Sequence, residues 1–262
     1  MEFDTIELKM DGPLAVLTLN RPEQYNALNQ RMAKELLQVI HEVQWNDEIR
    51  ALMITGAGKS FHSGGDVKAF ASAGEGVSRY VDELVMDLHA FISRLARMPK
   101  PVIAAVNGAA AGAGLSLMLC CDMALAAENV RFNMAYSAIG ASPDGGSTFF
   151  LTRQIGMRRA LELAYTNRVL SAQEALDWGL INRVLPQENF LAEATAFAKG
   201  LAEGPTQAYG RAKQLLTHSL DHDFEKQLEL EARAIVESTR TEDFQTNIRA
   251  FVEKKPFSYT GK

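Results

Sequence analysis

Two short turns of small residues have the pattern expected of a binding site for a negatively charged oxygen. The first turn contains Gly64 and Gly65, and the second contains Gly112, Ala113 and Gly114. The second turn opens a predicted helix, whose first backbone N–H groups have no intrahelical acceptor and lie at the positive end of the helix dipole. The first turn would supply an opposing N–H, so the two turns together predict an oxyanion hole.

The segments around these turns predict a mostly parallel sheet with crossover helices. Short apolar runs lie at residues 15–19, 51–55, 102–106 and 123–127, and helical patterns separate the first three of them. Asn29 predicts a cap for a helix over 31–45, and Ser171 with Glu174 predicts a capping box.

After about residue 190 the pattern becomes helical. Helices are predicted over 189–202, 205–219, 222–240 and 243–253. Such helices would be under-packed alone, so we expect their apolar side chains to lie in an oligomer interface or in the core. These side chains are Leu228, Leu230, Ile235, Ile248 and Phe251.

The composition is that of an ordinary soluble globular protein, with 47% hydrophobic and 23% charged residues. A net charge of -5 favours neither nucleic acid nor an acidic membrane surface as a partner.

Residues 101–121 carry no charge, but Asn107 and three glycines there favour a buried strand, turn and helix over a membrane span. The adjacent Cys120 and Cys121 predict core packing rather than a disulfide or metal site. Because the first eleven residues lack the apolar run of a signal peptide, we expect a cytoplasmic protein.

Four motifs together resemble the enoyl-CoA hydratase/isomerase (crotonase) superfamily. They are NRPEQYNAL at 20–28, SFHSGGD at 60–66, NGAAAGAG at 107–114 and SPDGGST at 142–148. The resemblance covers roughly residues 3–260. It implies an α/β fold with a spiral of ββα turns over 1–190, which binds acyl-CoA, and a helical trimerisation region over 191–262. It further implies a homotrimer, or a hexamer built as a dimer of trimers.

The resemblance also implies which residues bind the substrate. The N–H groups of Gly65 and Ala113 would face the thioester carbonyl of an acyl-CoA and stabilise an enolate. Coenzyme A would be part of the substrate, with no prosthetic group and no metal. Its cradle would be formed by Ala27, Gly64, Asp66 and Val67, with Asp66 ordering the turn. Arg21 and Lys68 are candidates for phosphate contacts, although either could equally face solvent.

The side chains expected around this hole favour proton transfer over hydration. Hydratases of this family use two glutamates, and the matching positions here hold Ser116 and Tyr136. Asp144 stands where hydratases have a glycine and where some isomerases and dehalogenases have a functional aspartate. The other interpretation is that Asp144 only caps a helix beginning near Gly146.

His89 leaves a second chemistry open. Its spacing resembles that of the histidine that activates water in 4-chlorobenzoyl-CoA dehalogenases, in which the aspartate matching Asp144 is the nucleophile. Tyr136 replaces the tryptophan of those enzymes, and its hydroxyl could donate a hydrogen bond to Asp144. His89 could also be a packing or surface residue.

We therefore expect an enoyl-CoA isomerase that moves a 3-double bond to the 2-position with Asp144 as acid and base. The alternatives are a hydrolytic dehalogenase, an enoyl-CoA hydratase and a non-catalytic acyl-CoA-binding protein.

Overall fold

The computed structural model describes residues 3–262 as two sheets surrounded by helices. The strands are β1 (Ile6–Asp11), β2 (Leu14–Leu19), β3 (Ala51–Gly56), β4 (Ser60–His62), β5 (Val102–Val106), β6 (Ala109–Ala111), β7 (Met123–Ala127), β8 (Arg131–Asn133), β9 (Leu170–Ser171) and β10 (Arg183–Leu185). The helices are α1 (Gln30–Trp45), α2 (Val67–Ser72), α3 (Val77–Arg97), α4 (Ala113–Leu119), α5 (Ser147–Ile155), α6 (Met157–Thr166), α7 (Ala172–Asp177), α8 (Phe190–Ala202), α9 (Thr206–His218), α10 (Phe224–Ser238) and α11 (Glu242–Glu253).

The two sheets arise from a repeated strand–strand–helix unit. The first sheet has the order β1-β2-β3-β5-β7-β10, in which β1 and β2 pair antiparallel and the other neighbours pair parallel. The second has the order β4-β6-β8-β9, in which β4, β6 and β8 are parallel. Each of the pairs β3–β4, β5–β6 and β7–β8 gives one strand to each sheet before the chain enters a helix. This arrangement confirms the expected ββα spiral.

The four predicted strands form as β2, β3, β5 and β7. Their side chains are almost all buried because helices cover the sheet, as expected for parallel strands with continuous apolar sequence. The uncharged stretch 101–121 folds as β5, β6 and α4. Among residues 3–262 we find no helix that is both long enough and apolar enough to cross a bilayer.

Local capping signals also form as predicted. The Asn29 side chain accepts a hydrogen bond from the Met32 amide at the start of α1. Ser171 and Glu174 form both bonds of a capping box at the start of α7. These bonds satisfy amides that have no intrahelical partner, and so they fix where the two helices begin.

Helix α8 lies on the first sheet rather than with the helices that follow it. Its buried residues Ala194, Ala198 and Ala202 recur every four positions, so their small side chains form the face that packs on the strands. A boundary at 190/191 therefore falls at the start of a helix that belongs to the sheet. The helices that extend beyond the sheet begin with α9.

The last two helices carry exposed apolar side chains. None of the residues Phe224–Ser238 is buried, and in α11 Asp243 is the buried residue. The large side chains of Leu228, Ile235, Ile248 and Phe251 are all between 46% and 69% exposed. They are thus not core residues of the single chain.

Candidate active site

The two small-residue turns meet because they follow neighbouring parallel strands. Ser60 of β4 is in register with Ala109 of β6, so both strands end at the same edge of the second sheet. The turn backbones then pack directly on each other: a Cβ added at Gly64 would lie 3.5 Å from the Gly112 Cα. Both glycines have positive φ, +100° and +52°, which side-chain-bearing residues rarely adopt.

Helix α4 begins unusually close to β4. A Cβ on Gly114 would lie 2.0 Å from the His62 carbonyl oxygen and 2.7 Å from its carbon. A backbone group cannot move aside as the end of a side chain can. The glycine therefore allows the helix start to approach the first turn.

Two amides at this edge are free to bind a ligand. The Gly64 N–H donates to His62 Nδ1 (3.1 Å), and the Gly112 N–H donates to the Asn133 carbonyl (3.1 Å). By contrast, the N–H groups of Gly65 and Ala113 have no acceptor within residues 3–262. Both residues line one cavity of about 430 Å³. Two unbonded donors from separate turns on a common cavity are what an oxyanion hole requires.

The rest of the cavity wall is mainly apolar. The inward face of α3 contributes Leu84, Val85 and Leu88, and Phe70 lies between that face and the first turn. Among the described residues, Asp144 is the one carboxylate that lines it. The cavity therefore combines an apolar compartment with two hydrogen-bond donors and one acid, a composition typical of a small-molecule site.

Asp144 is held by Tyr136 and does not cap a helix. The Tyr136 hydroxyl donates to Asp144 Oδ1 at 2.5 Å. Helix α5 begins at Ser147, and its N-cap position is Gly146, which has no side chain to offer. The interpretation of Asp144 as a helix cap is therefore wrong, because its carboxylate is bonded to Tyr136.

Ser116 extends this contact. Its hydroxyl oxygen lies 2.9 Å from Tyr136 Oη, and Ser116 is fully buried. Burial raises the pKa of Tyr136 well above its ordinary value, and the negative charge of Asp144 adds to the effect. Tyr136 therefore remains a neutral hydroxyl that donates its proton to the carboxylate.

His89 contacts the Asp144 turn from α3. Its Nε2 accepts a hydrogen bond from the Gly145 N–H at 3.2 Å and lies 3.9 Å from Asp144 Oδ2. Because Nε2 accepts there, the ring proton of neutral His89 must be on Nδ1. The side chain is 51% exposed, and within the described chain the cavity lining does not include it. In this structure His89 supports the loop that carries Asp144.

The expected coenzyme A residues surround the first turn. Arg21 donates to the Ala27 carbonyl (2.5 Å) and to Asp66 Oδ2 (3.0 Å), while Asp66 Oδ1 caps α2 through the Ala69 amide. The expectation that Asp66 orders the turn is thus matched by its contacts. Arg21 is largely enclosed and bonded to the protein itself, whereas Lys68 is exposed. Val67 is exposed and lines the cavity. Phosphate contacts by Arg21 and Lys68 stay predictions.

Two residues that position the first turn are not among the predicted site residues. The fully buried Asn26 has a φ of 58°, and its side-chain amide donates to the carbonyls of Ser60 and Phe61 in β4. His62 is buried, and burial lowers its pKa to about 4, so at neutral pH it is uncharged and accepts from Gly64. For Asn26, the available signal was a polar residue directly before two apolar ones, in Asn26-Ala27-Leu28.

Comparisons with known proteins agree with this geometry. The model of the family described as enoyl-CoA hydratase/isomerase matches residues 9–262. A probable enoyl-CoA hydratase of Rhodobacter capsulatus and a 1,2-epoxyphenylacetyl-CoA isomerase of Escherichia coli are each 38% identical to the chain, with all of both chains covered. A 4-chlorobenzoyl coenzyme A dehalogenase of Arthrobacter sp is 32% identical, over 94% of this chain and 89% of its own.

The structural comparison gives the same family. The crystal structure of an enoyl-CoA hydratase from Polaromonas sp. JS666 superposes with a TM-score of 0.92 at 34% identity, covering 97% of this chain and 99% of the other. Sequence and fold therefore agree over nearly the whole length. The chain belongs to the enoyl-CoA hydratase/isomerase (crotonase) superfamily of acyl-CoA enzymes.

Proposed function

We propose that the protein is an enoyl-CoA isomerase that moves a double bond from the 3- to the 2-position of an acyl-CoA. The observation that carries this proposal is the position of Asp144, the one carboxylate among the described residues that lines the cavity holding the free Gly65 and Ala113 amides. A single acid that accepts and then returns one proton suits an isomerase.

The reaction would begin with the thioester oxygen between the Gly65 and Ala113 N–H groups. Asp144 removes a proton from the α-carbon, and the electron pair of that C–H bond enters a dienolate whose negative oxygen the two amides stabilise. The γ-carbon then takes the proton from the Asp144 carboxyl as the double bond forms between the α- and β-carbons. The proton removed is the proton returned, so the step consumes neither water nor a redox cofactor.

Hydration is less well supported by the side chains. Ser116 and Tyr136 stand where hydratases of the family have glutamates, and neither hydroxyl can act as a carboxylate base at neutral pH. The names of the relatives include both an isomerase and a hydratase, so they support the class of substrate and leave the reaction to the residues. Asp144 is the residue that favours isomerisation.

The test is a panel of CoA thioesters incubated in deuterated water, with the 2-enoyl and 3-enoyl products separated by chromatography before mass spectrometry. We expect 3-enoyl-CoA to convert to 2-enoyl-CoA, and Asp144→Ala to lose about 100-fold or more of this turnover. Asp82, which is exposed on α3, provides a matched control in Asp82→Ala. Turnover by Asp144→Ala within threefold of the parent would show that the mechanism is wrong. Addition of water to 2-enoyl-CoA at a comparable rate would favour the hydratase.

A second candidate is hydrolytic dehalogenation, favoured by the 3.9 Å separation of His89 Nε2 and Asp144 Oδ2. Asp144 would attack the ring carbon that bears the halogen and displace halide, and water activated by His89 would hydrolyse the aryl ester. Against it, His89 Nε2 already accepts the Gly145 N–H. Multiple-turnover halide release from 4-chlorobenzoyl-CoA that falls to about one halide per site in His89→Gln would establish it, and absence of halide from the parent would reject it. A non-catalytic acyl-CoA-binding protein would bind the thioesters tightly without exchanging α-deuterium.

We also propose a homotrimer, or a hexamer formed from two trimers, held by the exposed apolar faces of α10 and α11. These faces would be costly to leave in water, and burial against another subunit removes that cost. Light scattering of the purified protein would give the mass. A monomeric mass at micromolar concentration would contradict the proposal.

A further inference from the structure

The Ser116 hydroxyl lies between the two halves of the site. Its Oγ is 2.9 Å from Tyr136 Oη, which is bonded to Asp144, and 3.3 Å from the carbonyl oxygen of Gly112. That carbonyl belongs to the same peptide group as the Ala113 N–H. One buried hydroxyl thus contacts both the residue that holds the acid and the peptide that supplies an oxyanion donor.

The two contacts of Ser116 compete for its one hydroxyl proton. Tyr136 has one hydroxyl proton, and at 2.5 Å from a carboxylate that proton belongs in the bond to Asp144. The Ser116–Tyr136 contact therefore requires Ser116 as donor. The contact with the Gly112 carbonyl also requires Ser116 as donor, because a carbonyl oxygen only accepts. One Ser116 proton serves two acceptors, and the shorter contact is the one to Tyr136.

Protonation of Asp144 removes the competition. Once the substrate proton is on the carboxyl oxygen that faces Tyr136, the new O–H can donate to Tyr136 Oη, and Tyr136 can then donate to Ser116. The Ser116 proton is then free for the Gly112 carbonyl. A hydrogen bond to a peptide carbonyl polarises the whole peptide, which makes its N–H a stronger donor. Here that N–H is the one of Ala113, which faces the cavity.

We infer that Ser116 is a positioning residue that couples the charge of Asp144 to the strength of the oxyanion hole. The Ala113 donor becomes strongest when the acid holds the proton, which is when the dienolate oxygen carries its charge. No proton passes along the chain of hydroxyls, since each only turns its O–H bond. The catalytic benefit rests on the proposed function, in which Asp144 accepts the α-proton.

The test uses a saturated acyl-CoA labelled with carbon-13 at the thioester carbonyl, which has no double bond to move. Infrared difference spectra report how strongly the bound carbonyl is polarised. Tyr136→Phe leaves the Ser116 proton with the Gly112 carbonyl as its acceptor, so we expect a lower carbonyl stretching frequency than in the parent protein. The double variant Tyr136→Phe, Ser116→Ala should lose this extra lowering.

Ser137→Ala is the matched control, because the Ser137 hydroxyl bonds to the Ala164 carbonyl and lies next to Tyr136 in sequence. It should leave the frequency unchanged. A frequency in Tyr136→Phe equal to or above that of the parent overturns the inference, as does an equal lowering with and without Ser116. Because the spectra require only a bound thioester, absence of isomerase turnover with the expected spectra would reject the proposed function alone.

Kinetics provide a second measurement. If the hydrogen bond from one donor of an oxyanion hole becomes about 10–30% stronger, the rate should change by about two- to fivefold. Ser116→Ala should therefore lower kcat by about that factor without changing KM, since in the ground state the shorter contact, to Tyr136, takes most of the Ser116 proton. A rise in KM with kcat unchanged would indicate a purely structural role and contradict the coupling.

Discussion

His62 Nδ1 accepts a hydrogen bond from the Gly64 amide at 3.1 Å, and this bond gives the two amides of the first turn different roles. The Gly64 N–H is used within the protein, and the next N–H, that of Gly65, is left for a ligand. The bond exists only while Nδ1 is unprotonated, because a protonated imidazole has no acceptor. The protonation state of a buried histidine thus determines whether the turn keeps this internal bond.

The pH dependence of stability follows from this contact. Burial lowers the pKa of His62 to about 4, whereas a histidine in an unfolded chain titrates near 6.5. Between these values the unfolded chain binds a proton that the folded protein does not, so the free energy of unfolding falls as the pH falls. We expect His62 to account for a loss of about 2 kcal/mol between about pH 6.5 and about pH 5. Urea unfolding at several pH values measures it.

His62→Asn is the informative variant, because its side-chain oxygen can also accept the Gly64 amide but does not titrate. It should flatten this part of the pH profile. His41, which is exposed on α1, provides the control variant His41→Asn, whose profile should match the parent. Identical profiles for His62→Asn and the parent would exclude His62 as the source.

A second prediction concerns the close approach of α4 to β4. Gly114→Ala would place a Cβ 2.0 Å from the His62 carbonyl oxygen, so the helix start must move. We expect a loss of about 3 kcal/mol from this overpacking. In α8, Gly200→Ala meets nothing within 4 Å and should instead stabilise by about 0.5–1 kcal/mol, since alanine is the better helix former. Thermal unfolding of both variants decides the matter, and equal stabilities would show that the contact costs nothing.

The sequence predicts the first sheet better than the second, for a physical reason. Buried parallel strands need continuous apolar residues, and this signal is clear in β2, β3, β5 and β7. The strands of the second sheet have two or three residues, and three of them pass directly into a turn. Runs of that length carry no period, so their pairing depends on tertiary contacts.

In the site, too, some features could be expected from the sequence and others depend on tertiary contacts. The small residues of the two turns predict that each turn supplies an N–H donor, and the family resemblance implies which donors, the amides of Gly65 and Ala113. The Tyr136–Asp144 bond was expected as well, because the family resemblance places both side chains beside the substrate. The contacts Ser116–Tyr136 and His89–Gly145 depend on side-chain orientation across elements that are distant in sequence. No local pattern encodes that orientation.

A third prediction separates the two roles open to Arg21. Its guanidinium bridges Ala27 and Asp66, with both charged side chains about 15% exposed, so its loss leaves a poorly solvated carboxylate unpaired. Arg21→Gln should therefore loosen the turn and weaken binding of CoA and pantetheine thioesters alike. Lys68→Gln, if Lys68 contacts phosphate, should weaken the CoA thioester only. Dissociation constants for both ligands provide the comparison, and a loss in Arg21→Gln confined to the CoA thioester would assign Arg21 to phosphate.

A fourth prediction concerns the apolar wall beside the oxyanion hole. A Cβ on Gly65 would lie 2.6 Å from Phe70 Cζ, which is the far end of a side chain and can move. Gly65 does not have a positive φ, so Gly65→Ala should fold. The displaced ring has the cavity on one side and Tyr80 on the other, with ring centroids 5.9 Å apart, so it should move into the acyl compartment.

We therefore expect Gly65→Ala to lower kcat/KM by about tenfold for a bulky acyl group and by less for a short one, because the lost volume matters only to the larger chain. The double variant Gly65→Ala, Phe70→Leu removes the ring that must move and should recover the bulky substrate. Phe70→Leu alone is the control for the size of residue 70. If Gly65→Ala slowed short and bulky thioesters equally and Phe70→Leu restored neither, the added methyl would be acting on the amide donor itself rather than through Phe70.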